Sequence, residues 1–537
     1  MPTPSAVAPR LAVAELLALI AAREELAVLD VRELRVHIEQ GHILLSAPLP
    51  LSQLELRVAS FLPRHDVRIV VYDGGTEGLA ERASDRLRTL GWPNVSVLDG
   101  GMAAWAAAGQ EVYTGVHVLS KAFGEFVEHT YDTPRLSARD LKAKQEAGED
   151  LVVLDGRTLE EFESFSIPGA WACPNAELPY RVHGLVRSPE TLVVVNCAGR
   201  TRSIIGAQAL RNAGLANKVV ALENGTMAWL FEGFTLNKGT VRLPPAPTGA
   251  ALEQARATAE GLRRRYGIRT IDRAGLAALQ AEAGRTVYRL DVRTRAEYEA
   301  GHLPGSLWAE GGQLVQQTDD WVAVNHARLI LIDDTVGGRA AITASWLVQL
   351  GWTDVHVYAL EPGNEVLEVG PEPQRVVGLP APQESIGPAE LKALLDKGQA
   401  VVLDFSTSTD YARGHVPGAR YALRSRLAEG LARLPAAGAI VVTAADPSLA
   451  ELAAADLKAL TSRPIQVLAG GLAAWRAAGH AVEKGETAMH DPADDIWPSP
   501  YRSDDRFAAF QRYLDWEIGL VAQLARDKTV SFKPMPA

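Results

Sequence analysis

Two cysteines are the residues of this 537-residue chain with the greatest capacity for covalent chemistry. Cys197 stands in the segment 196–203, Asn-Cys-Ala-Gly-Arg-Thr-Arg-Ser, after an apolar run and before a helical pattern that begins near Ser203. The backbone N–H groups of such a loop can converge on an anion, and the helix N-terminus adds partial positive charge. Arg200 and Arg202 add full positive charges. All three effects favour thiolate over thiol, so the segment predicts a nucleophilic cysteine.

The alternative interpretation of a lone cysteine at a strand end is a small buried hydrophobe. For Cys197 the two arginines that follow it, and Gly199 in the same loop, favour reactivity. Cys173 lies in Ala-Cys-Pro, without nearby charge, and is interpreted as structural or, less often, as a resolving thiol. Two cysteines can build neither a disulfide framework nor a four-cysteine zinc site, so no metal site is predicted.

The elements that must position Cys197 recur four times along the chain. The first recurring phrase is an apolar strand ending in Leu-Asp, and its aspartates are Asp30, Asp155, Asp291 and Asp404. A second apolar strand follows in each repeat and leads into a short loop and an Ala- or Leu-rich helical pattern. At the place of Cys197 the other three repeats have Asp73, Asp334 and Ala444. One repeat of the four therefore carries a nucleophile in this loop.

Strands that alternate with helices predict an α/β fold, with a mainly parallel sheet flanked by helices in each repeat. Proline-rich stretches mark joints between the repeats. The repeats are expected to form domains over 1–115, 128–240, 267–370 and 383–485. A linker helix is expected over 241–266, and an aromatic C-terminal segment over 486–537 is expected to pack back on the domains.

Composition excludes several classes of protein. The apolar fraction is 47% and the charged fraction 22%, which is typical of globular proteins rather than disordered, collagen-like or coiled-coil chains. The net charge of −11 predicts no broad basic surface for nucleic acid. No signal-like N-terminus and no apolar run long enough to span a bilayer are evident, so no membrane association is expected. A reducing, cytoplasmic setting is the expectation.

Taken together, these phrases resemble the rhodanese sulfurtransferase family. The second repeat carries the clearest matches, which are Leu-Asp-Gly-Arg at 154–157, Ile-Pro-Gly at 167–169, the loop opened by Cys197, Arg202-Ser203, and Asn224-Gly225 leading to Trp229. The likeness covers most of the chain as four tandem rhodanese-like domains. It is similar to bacterial multi-rhodanese proteins in which one domain is active and the others have lost the cysteine.

The resemblance implies a thiosulfate:cyanide type of sulfurtransferase without a cofactor. Cys197 would take sulfane sulfur from an anionic donor such as thiosulfate, become a persulfide, and pass the sulfur to a thiol or to cyanide. The implied substrate-binding residues are Arg157, Ala198, Gly199, Arg200, Thr201, Arg202 and Ser203. Arg157 is equally well interpreted as an ion-pair partner of Asp155, and Arg181 is a further candidate to reach the pocket.

The donor and the class of activity stay open. Many loops of the family carry glycine at the fourth place, whereas this loop has Arg200 there. The arginine fits an anionic donor but leaves the identity of the donor open. The related phosphatases use a loop one residue longer that wraps a phosphate, so phosphatase or arsenate chemistry fits the short loop less well. The chain could also be a non-catalytic scaffold or sensor that binds a sulfur-carrying protein, with the cysteine-free domains shaping access to Cys197.

Overall fold

A computed structural model describes residues 8–361, 363–435 and 438–534. The first seven residues, where we expected no signal peptide, and the last three residues of the C-terminal segment lie outside this description. The chain forms two compact units. The first contains residues 8–16, 27–116 and 374–498, and thus most of domain 1 and all of domain 4. The second contains residues 17–26, 117–373 and 499–534, and thus domains 2 and 3 and the end of the chain.

Strands and helices alternate through the first two domains. Domain 1 contains β1 (Arg10–Leu11), α1 (Val13–Ala22), β2 (Leu26–Asp30), α2 (Leu34–Gln40), β3 (Ala47–Pro48), α3 (Leu54–Phe61), β4 (Arg68–Tyr72), α4 (Leu79–Thr89), β5 (Val95–Leu98) and α5 (Gly101–Ala107). Helix α6 (Val118–Tyr131) follows. Domain 2 contains β6 (Arg135–Leu136), α7 (Ala138–Glu146), β7 (Leu151–Asp155), α8 (Leu159–Ser164), β8 (Trp171–Ala172), α9 (Leu178–Arg181), β9 (Leu192–Asn196), α10 (Thr201–Asn212), β10 (Val219–Leu222) and α11 (Gly225–Phe231).

The last two domains repeat this alternation. Helix α12 (Gly249–Tyr266) precedes domain 3. Domain 3 contains β11 (Arg269–Ile271), α13 (Arg273–Ala281), β12 (Val287–Asp291), α14 (Arg295–Ala300), β13 (Leu307–Trp308), α15 (Gly311–Gln316), α16 (Thr318–Trp321), β14 (Val324–Asn325), β15 (Arg328–Asp333), α17 (Gly338–Leu350) and β16 (Val355–Ala359). Domain 4 contains β17 (Ser385–Ile386), α18 (Pro388–Asp396), β18 (Ala400–Asp404), α19 (Ser408–Arg413), β19 (Arg420–Tyr421), α20 (Leu427–Leu431), β20 (Ala439–Thr443), α21 (Pro447–Leu460), β21 (Ile465–Leu468) and α22 (Gly471–Ala477). Helix α23 (Arg506–Leu524) ends the series.

Each domain is built on one parallel sheet. In domain 2 the strand order is β6-β10-β9-β7-β8. The same order of elements recurs as β1-β5-β4-β2-β3, β11-β16-β15-β12-β13 and β17-β21-β20-β18-β19 in the other three. Parallel neighbours need crossover connections, and the helices between the strands supply them. This confirms the predicted fold class of four tandem α/β units with parallel sheets.

The core of domain 2 has two layers, because successive residues of a strand point to opposite faces of the sheet. Val193 and Val195 of β9 join one buried cluster, whereas Val194 between them joins the other. All three valines are fully buried, which accounts for the uninterrupted β-branched run in the sequence. The strand thus brings Cys197 to the C-terminal edge of the sheet. Among the described residues, none of the helices combines the length and hydropathy that crossing a bilayer requires.

Candidate active site

The loop that carries Cys197 connects β9 to α10 at the C-terminal edge of the domain 2 sheet. Cys197 follows the last residue of the strand directly, and its residue surface is 2% exposed. The backbone N–H groups from Ala198 to Ser203 donate no hydrogen bond to any acceptor in the described part of the chain. Buried backbone donors are nearly always paired in folded proteins. A run of open donors next to a cysteine therefore forms a cradle suited to an anion.

The carbonyl groups at the start of the loop are held by other segments. The carbonyl oxygen of Cys197 accepts a hydrogen bond from the N–H of Thr226 at 2.9 Å, and that of Ala198 accepts one from the Tyr501 hydroxyl at 3.0 Å. Gly225 makes this approach possible, because a Cβ atom there would lie 2.2 Å from the Cys197 carbonyl oxygen. Gly225 also has φ +52°, in the left-handed region. The Asn-Gly phrase at 224–225 therefore fixes the cysteine loop.

Arg202 lies on the first turn of α10 and forms a two-pronged ion pair. Its Nη1 and Nη2 atoms donate to the two Glu161 oxygens at 2.6 and 2.8 Å. Glu161 also closes a capping box with Thr158 at the start of α8. Burial raises the pKa of Glu161, but Arg202 outweighs this effect and the pKa falls to about 2. Burial lowers the pKa of Arg202. Glu161 and the nearby Cys197 sulfur raise it by more, so the pKa lies above its ordinary value. The positive charge therefore persists beside the cysteine.

The Arg200 guanidinium is bound by carboxylates of α6. Its Nε and Nη2 atoms donate to the two Glu125 oxygens, each at 2.7 Å, and Nη2 also contacts Glu128. Its Nη1 atom donates to the Asn224 side chain at 3.2 Å. Arg200 is 6% exposed. The structure thus places Arg200 in the loop, where its side chain anchors the loop to α6.

Arg157 forms the ion pair that the sequence suggested as one of its two roles. Its Nε and Nη2 atoms donate to Asp155 at 2.9 and 2.8 Å, and its guanidinium lies 4.8 Å from the centre of the Phe165 ring. Its Nη1 atom is buried and has no hydrogen-bond partner among the described residues. The same ion pair recurs in other domains as Arg32 with Asp30 and Arg293 with Asp291. The pair is therefore a feature of the fold, and in domain 2 it leaves one nitrogen available to a ligand.

The three remaining candidates, Ser203, Arg181 and Cys173, lie in different parts of domain 2. Ser203 donates its hydroxyl to the Arg200 carbonyl at 2.8 Å, which tightens the turn into α10. Arg181 pairs with Glu177 and lines a cavity of about 400 Å³ between domains 2 and 3 whose lining does not include Cys197. Cys173 is fully buried in the core of domain 2, where burial raises the pKa of its thiol.

Sequence reasoning did not identify the residues that helix α23 brings to the loop. Glu517 is fully buried, and its Oε1 atom accepts from the Thr201 hydroxyl at 3.0 Å and pairs with Lys121 Nζ at 3.1 Å. Tyr501, just before this helix, reaches both Ala198 and the Thr226 hydroxyl. The density of aromatic residues near the C-terminus was the one sequence signal for this packing. These contacts explain why Cys197 is so little exposed.

Comparison with known proteins identifies the fold in each domain. The family model described as Rhodanese-like domain matches residues 12–108, 137–232, 274–361 and 387–478. The crystal structure of a thiosulfate sulfurtransferase from Pseudomonas aeruginosa is similar over 98% of this chain and 100% of that chain, with 44% identity and a TM-score of 0.94.

Two curated proteins are similar to parts of the chain. A putative thiosulfate sulfurtransferase, SseB, from Mycobacterium tuberculosis is 33% identical over 144 residues, which is 24% of this chain and 49% of that protein. A putative sulfur carrier protein, YrkF, from Bacillus subtilis is 28% identical over 136 residues, which is 24% of this chain and 72% of that protein. With four domains that match one family model, the resemblance found in the sequence is confirmed: the chain belongs to the rhodanese family.

Proposed function

We propose that the chain is a sulfurtransferase that moves sulfane sulfur from an anionic donor such as thiosulfate to a thiol or to cyanide through a persulfide on Cys197. The observation that carries this proposal is the open cradle of backbone donors from Ala198 to Ser203 around a cysteine. The rhodanese-like domains and the likeness to a thiosulfate sulfurtransferase support sulfur transfer in general.

In the first half-reaction the Cys197 thiolate attacks the outer sulfur of thiosulfate. The sulfur–sulfur bond of the donor breaks, its electron pair leaves with sulfite, and the outer sulfur stays on Cys197 as a persulfide. The loop N–H groups stabilise the negative charge that this sulfur carries. Arg202, and the unpartnered Nη1 atom of Arg157, supply positive charge for the sulfonate oxygens of the donor.

In the second half-reaction an acceptor nucleophile attacks the outer sulfur of the persulfide. The bond to Cys197 Sγ breaks and its electron pair remains on Cys197, which returns to the thiolate held by the loop. Cyanide becomes thiocyanate, and a thiol becomes a persulfide. No cofactor is needed, because the sulfur atom moves between two nucleophiles without an external electron donor or acceptor.

The cysteine-free domains are proposed to be structural. Domain 3 supports the active domain directly, since Arg339 pairs with Glu177 of domain 2 at 3.2 Å and lies 4.7 Å from the centre of the Tyr180 ring. Strand register puts Asp73, Asp333 and Ala444 at the cysteine's place in these domains, so the prediction of Asp334 for domain 3 was wrong by one residue. None of these three residues can form a persulfide. Packing of this kind shapes domain 2 without adding a second nucleophile.

Mass spectrometry after thiosulfate treatment tests the proposal. Cys197 is expected to gain the mass of one sulfur atom, and thiocyanate formation from thiosulfate and cyanide should vanish in Cys197→Ser. The matched control Cys173→Ser should retain both. Turnover that persists in Cys197→Ser would contradict the assignment. A chain that gains no sulfur but binds a persulfide-carrying protein saturably would indicate a scaffold, and hydrolysis of p-nitrophenyl phosphate would indicate phosphatase chemistry.

A further inference from the structure

Helix α23 brings a carboxylate to the cysteine loop from the far end of the chain. Three groups meet the Oε1 atom of Glu517: the Thr201 hydroxyl at 3.0 Å, the Lys121 ammonium at 3.1 Å and the Tyr513 hydroxyl at 3.2 Å. Its Oε2 atom is buried and has no hydrogen-bond partner among the described residues. A buried carboxylate oxygen without a donor is costly, so its retention calls for an explanation in terms of a ligand or a proton.

The free oxygen faces the middle of the nucleophile loop. A Cβ atom built on Gly199 would lie 3.3 Å from Glu517 Oε2 and 3.4 Å from Tyr513 Cε1, so both side chains rest against the loop at this glycine. Burial raises the pKa of Tyr513, the charges of Glu517 and Cys197 raise it further, and that of Arg202 lowers it. Glu517 is thus placed beside the loop with one oxygen uncommitted.

The proposed chemistry has one step that needs such a group. Thiosulfate and sulfite react as anions, and no proton has to be removed from them. A thiol acceptor carries a proton that must leave before or during the attack of its sulfur. The arginines of the proposed site, Arg157 and Arg202, cannot accept that proton. A carboxylate beside the cysteine loop can, and the Lys121 ammonium lies 3.1 Å from its other oxygen.

We propose that Glu517 is a further catalytic residue of this site, the base that deprotonates a small thiol acceptor; this rests on the proposed persulfide of Cys197. The Glu517 carboxylate takes the S–H proton, and the acceptor sulfur attacks the outer sulfur of the anionic persulfide. The bond from that sulfur to Cys197 Sγ breaks with its electron pair left on Cys197. The products are the acceptor persulfide anion R–S–S⁻, the Cys197 thiolate and protonated Glu517, which returns its proton to solvent.

The same contacts define the class of acceptor. Cys197 is 2% exposed, and Tyr501, Phe510 and Leu514 are packed around Met227 on the same side of the loop. A cysteine on a folded partner protein cannot approach so enclosed a sulfur. The site therefore suits a low-molecular-weight thiol.

Single-turnover discharge of the preloaded persulfide tests the proposal. The protein is loaded with thiosulfate, freed of donor, and mixed with β-mercaptoethanol or with sulfite at mildly alkaline pH. Glu517→Gln should load as the wild type does and discharge to sulfite at the wild-type rate, because neither step moves a proton from the acceptor. Its discharge to β-mercaptoethanol should slow roughly 100-fold, the usual contribution of a general base. Its discharge to a thiol that is already ionised at the assay pH, such as thionitrobenzoate, should be slowed far less than its discharge to β-mercaptoethanol.

Controls separate this role from a structural one. Glu310→Gln changes another buried glutamate, in domain 3, and should leave both discharges unchanged. Thiol discharge at the wild-type rate in Glu517→Gln, or an equal fall in loading, sulfite discharge and thiol discharge, would overturn the proposal. A wild-type protein that takes no sulfur from thiosulfate would instead refute the proposed function. If Glu517→Gln does not fold, Glu517→Asp keeps the charge near Lys121 but withdraws the carboxylate from the loop by one methylene, and it should slow the thiol discharge without slowing the sulfite discharge.

Discussion

The nucleophile loop of domain 2 and its counterpart in domain 3 hold the same arginine in the same way. Arg202 stands five residues after Cys197 and pairs with Glu161, whereas Arg339 stands six residues after Asp333, the residue at the cysteine's place, and pairs with Glu297. In both domains that glutamate also closes a capping box at the start of a short helix. The scaffold that places a positive charge at this loop is therefore common to the domain with Cys197 and to a domain without cysteine.

The two loops differ in what occupies the backbone donors. In domain 3 the Asp334 carboxylate accepts hydrogen bonds from the N–H groups of Val336 and Gly337 at 2.8 and 3.1 Å, and it pairs with Arg339 at 3.1 Å. In domain 2 the corresponding donors find no acceptor within the described residues. Domain 3 thus contains its own anion, while domain 2 leaves the place open for one.

Domain 1 extends this comparison. There Asp73 takes the cysteine's place, and its carboxylate accepts from the N–H groups of Gly75 at 2.7 Å and Ala80 at 3.1 Å. Domain 4 has Ala444, and the nearby Asp446 accepts from the N–H of Ser448 at 2.8 Å. A carboxylate at or near the opening of the loop is thus shared by the three domains without cysteine.

The largest expected effect comes from making the loop of domain 2 resemble that of domain 3. Cys197→Asp should reduce turnover to the uncatalysed background, because no persulfide can form. It should also have a higher free energy of unfolding than Cys197→Ala, because the new carboxylate can accept the open N–H groups and pair with Arg202. Thiocyanate assays and denaturant unfolding measure the two effects. Equal stability of the Asp and Ala variants would show that the loop donors do not bind a carboxylate.

A second effect concerns the anchor that domain 2 has and domain 3 lacks, since Gly337 stands at the place of Arg200. Arg200→Met should lower the free energy of unfolding by about 3–5 kcal/mol, because it leaves the buried Glu125 carboxylate without its partner. Denaturant unfolding is the measurement, with the exposed Arg211→Met on the same helix as control. The KM for thiosulfate in the folded fraction then tests the prediction that Arg200 also binds the donor. A fall in stability no larger than in the control would refute the anchoring role.

The carboxylate of the domain 3 loop should matter for stability and not for chemistry. Asp334→Ala removes the acceptor for two backbone N–H groups and should lower the free energy of unfolding by about 1–3 kcal/mol. Persulfide formation on Cys197 should be retained. The exposed Asp515→Ala serves as a matched control. If Asp334→Ala is as stable as this control, the carboxylate does not hold the loop.

The smallest expected effect is an acid transition common to both loops. The arginine of each pair lowers the pKa of Glu161 and of Glu297, against the effect of burial, from the ordinary 4.5 to about 2. A carboxyl group whose pKa is lowered in the folded state contributes its full stabilisation of that state when the pH is above its unfolded pKa. This contribution is lost as the pH falls through the folded pKa of about 2. The free energy of unfolding should therefore fall less steeply, as the pH decreases from about 4.5 to about 2, in Glu161→Gln and in Glu297→Gln than in the wild type. An unchanged profile would contradict the role of the pairs.

Much of the fold could be predicted from the sequence because its signals are local. The buried valine run of β9, the turn into α10 and the Asn-Gly phrase at Gly225 each depend on a few consecutive residues. The fourfold recurrence of the apolar strands and of the Leu-Asp phrase indicated four parallel α/β domains of the rhodanese family, which the structure and the comparisons confirm. The role of Arg200 could not be resolved in the same way, because an arginine's partners depend on which distant carboxylates reach it. Its donor-binding role stays a prediction.

The sequence by itself therefore indicated the candidate nucleophile, because Cys197 is the one cysteine in the four loops. Only the strand register decided that Asp333, and not Asp334, stands at its place in domain 3. Tertiary structure alone decided what surrounds it. Glu125 meets Arg200 across 75 positions of the chain, and Glu517 meets Thr201 across 316. A loop's shape follows from short-range propensities, but contacts over such separations form only when helices bury their apolar faces against one another. For this reason the carboxylate that we propose as a base is evident in the fold and not in the motif.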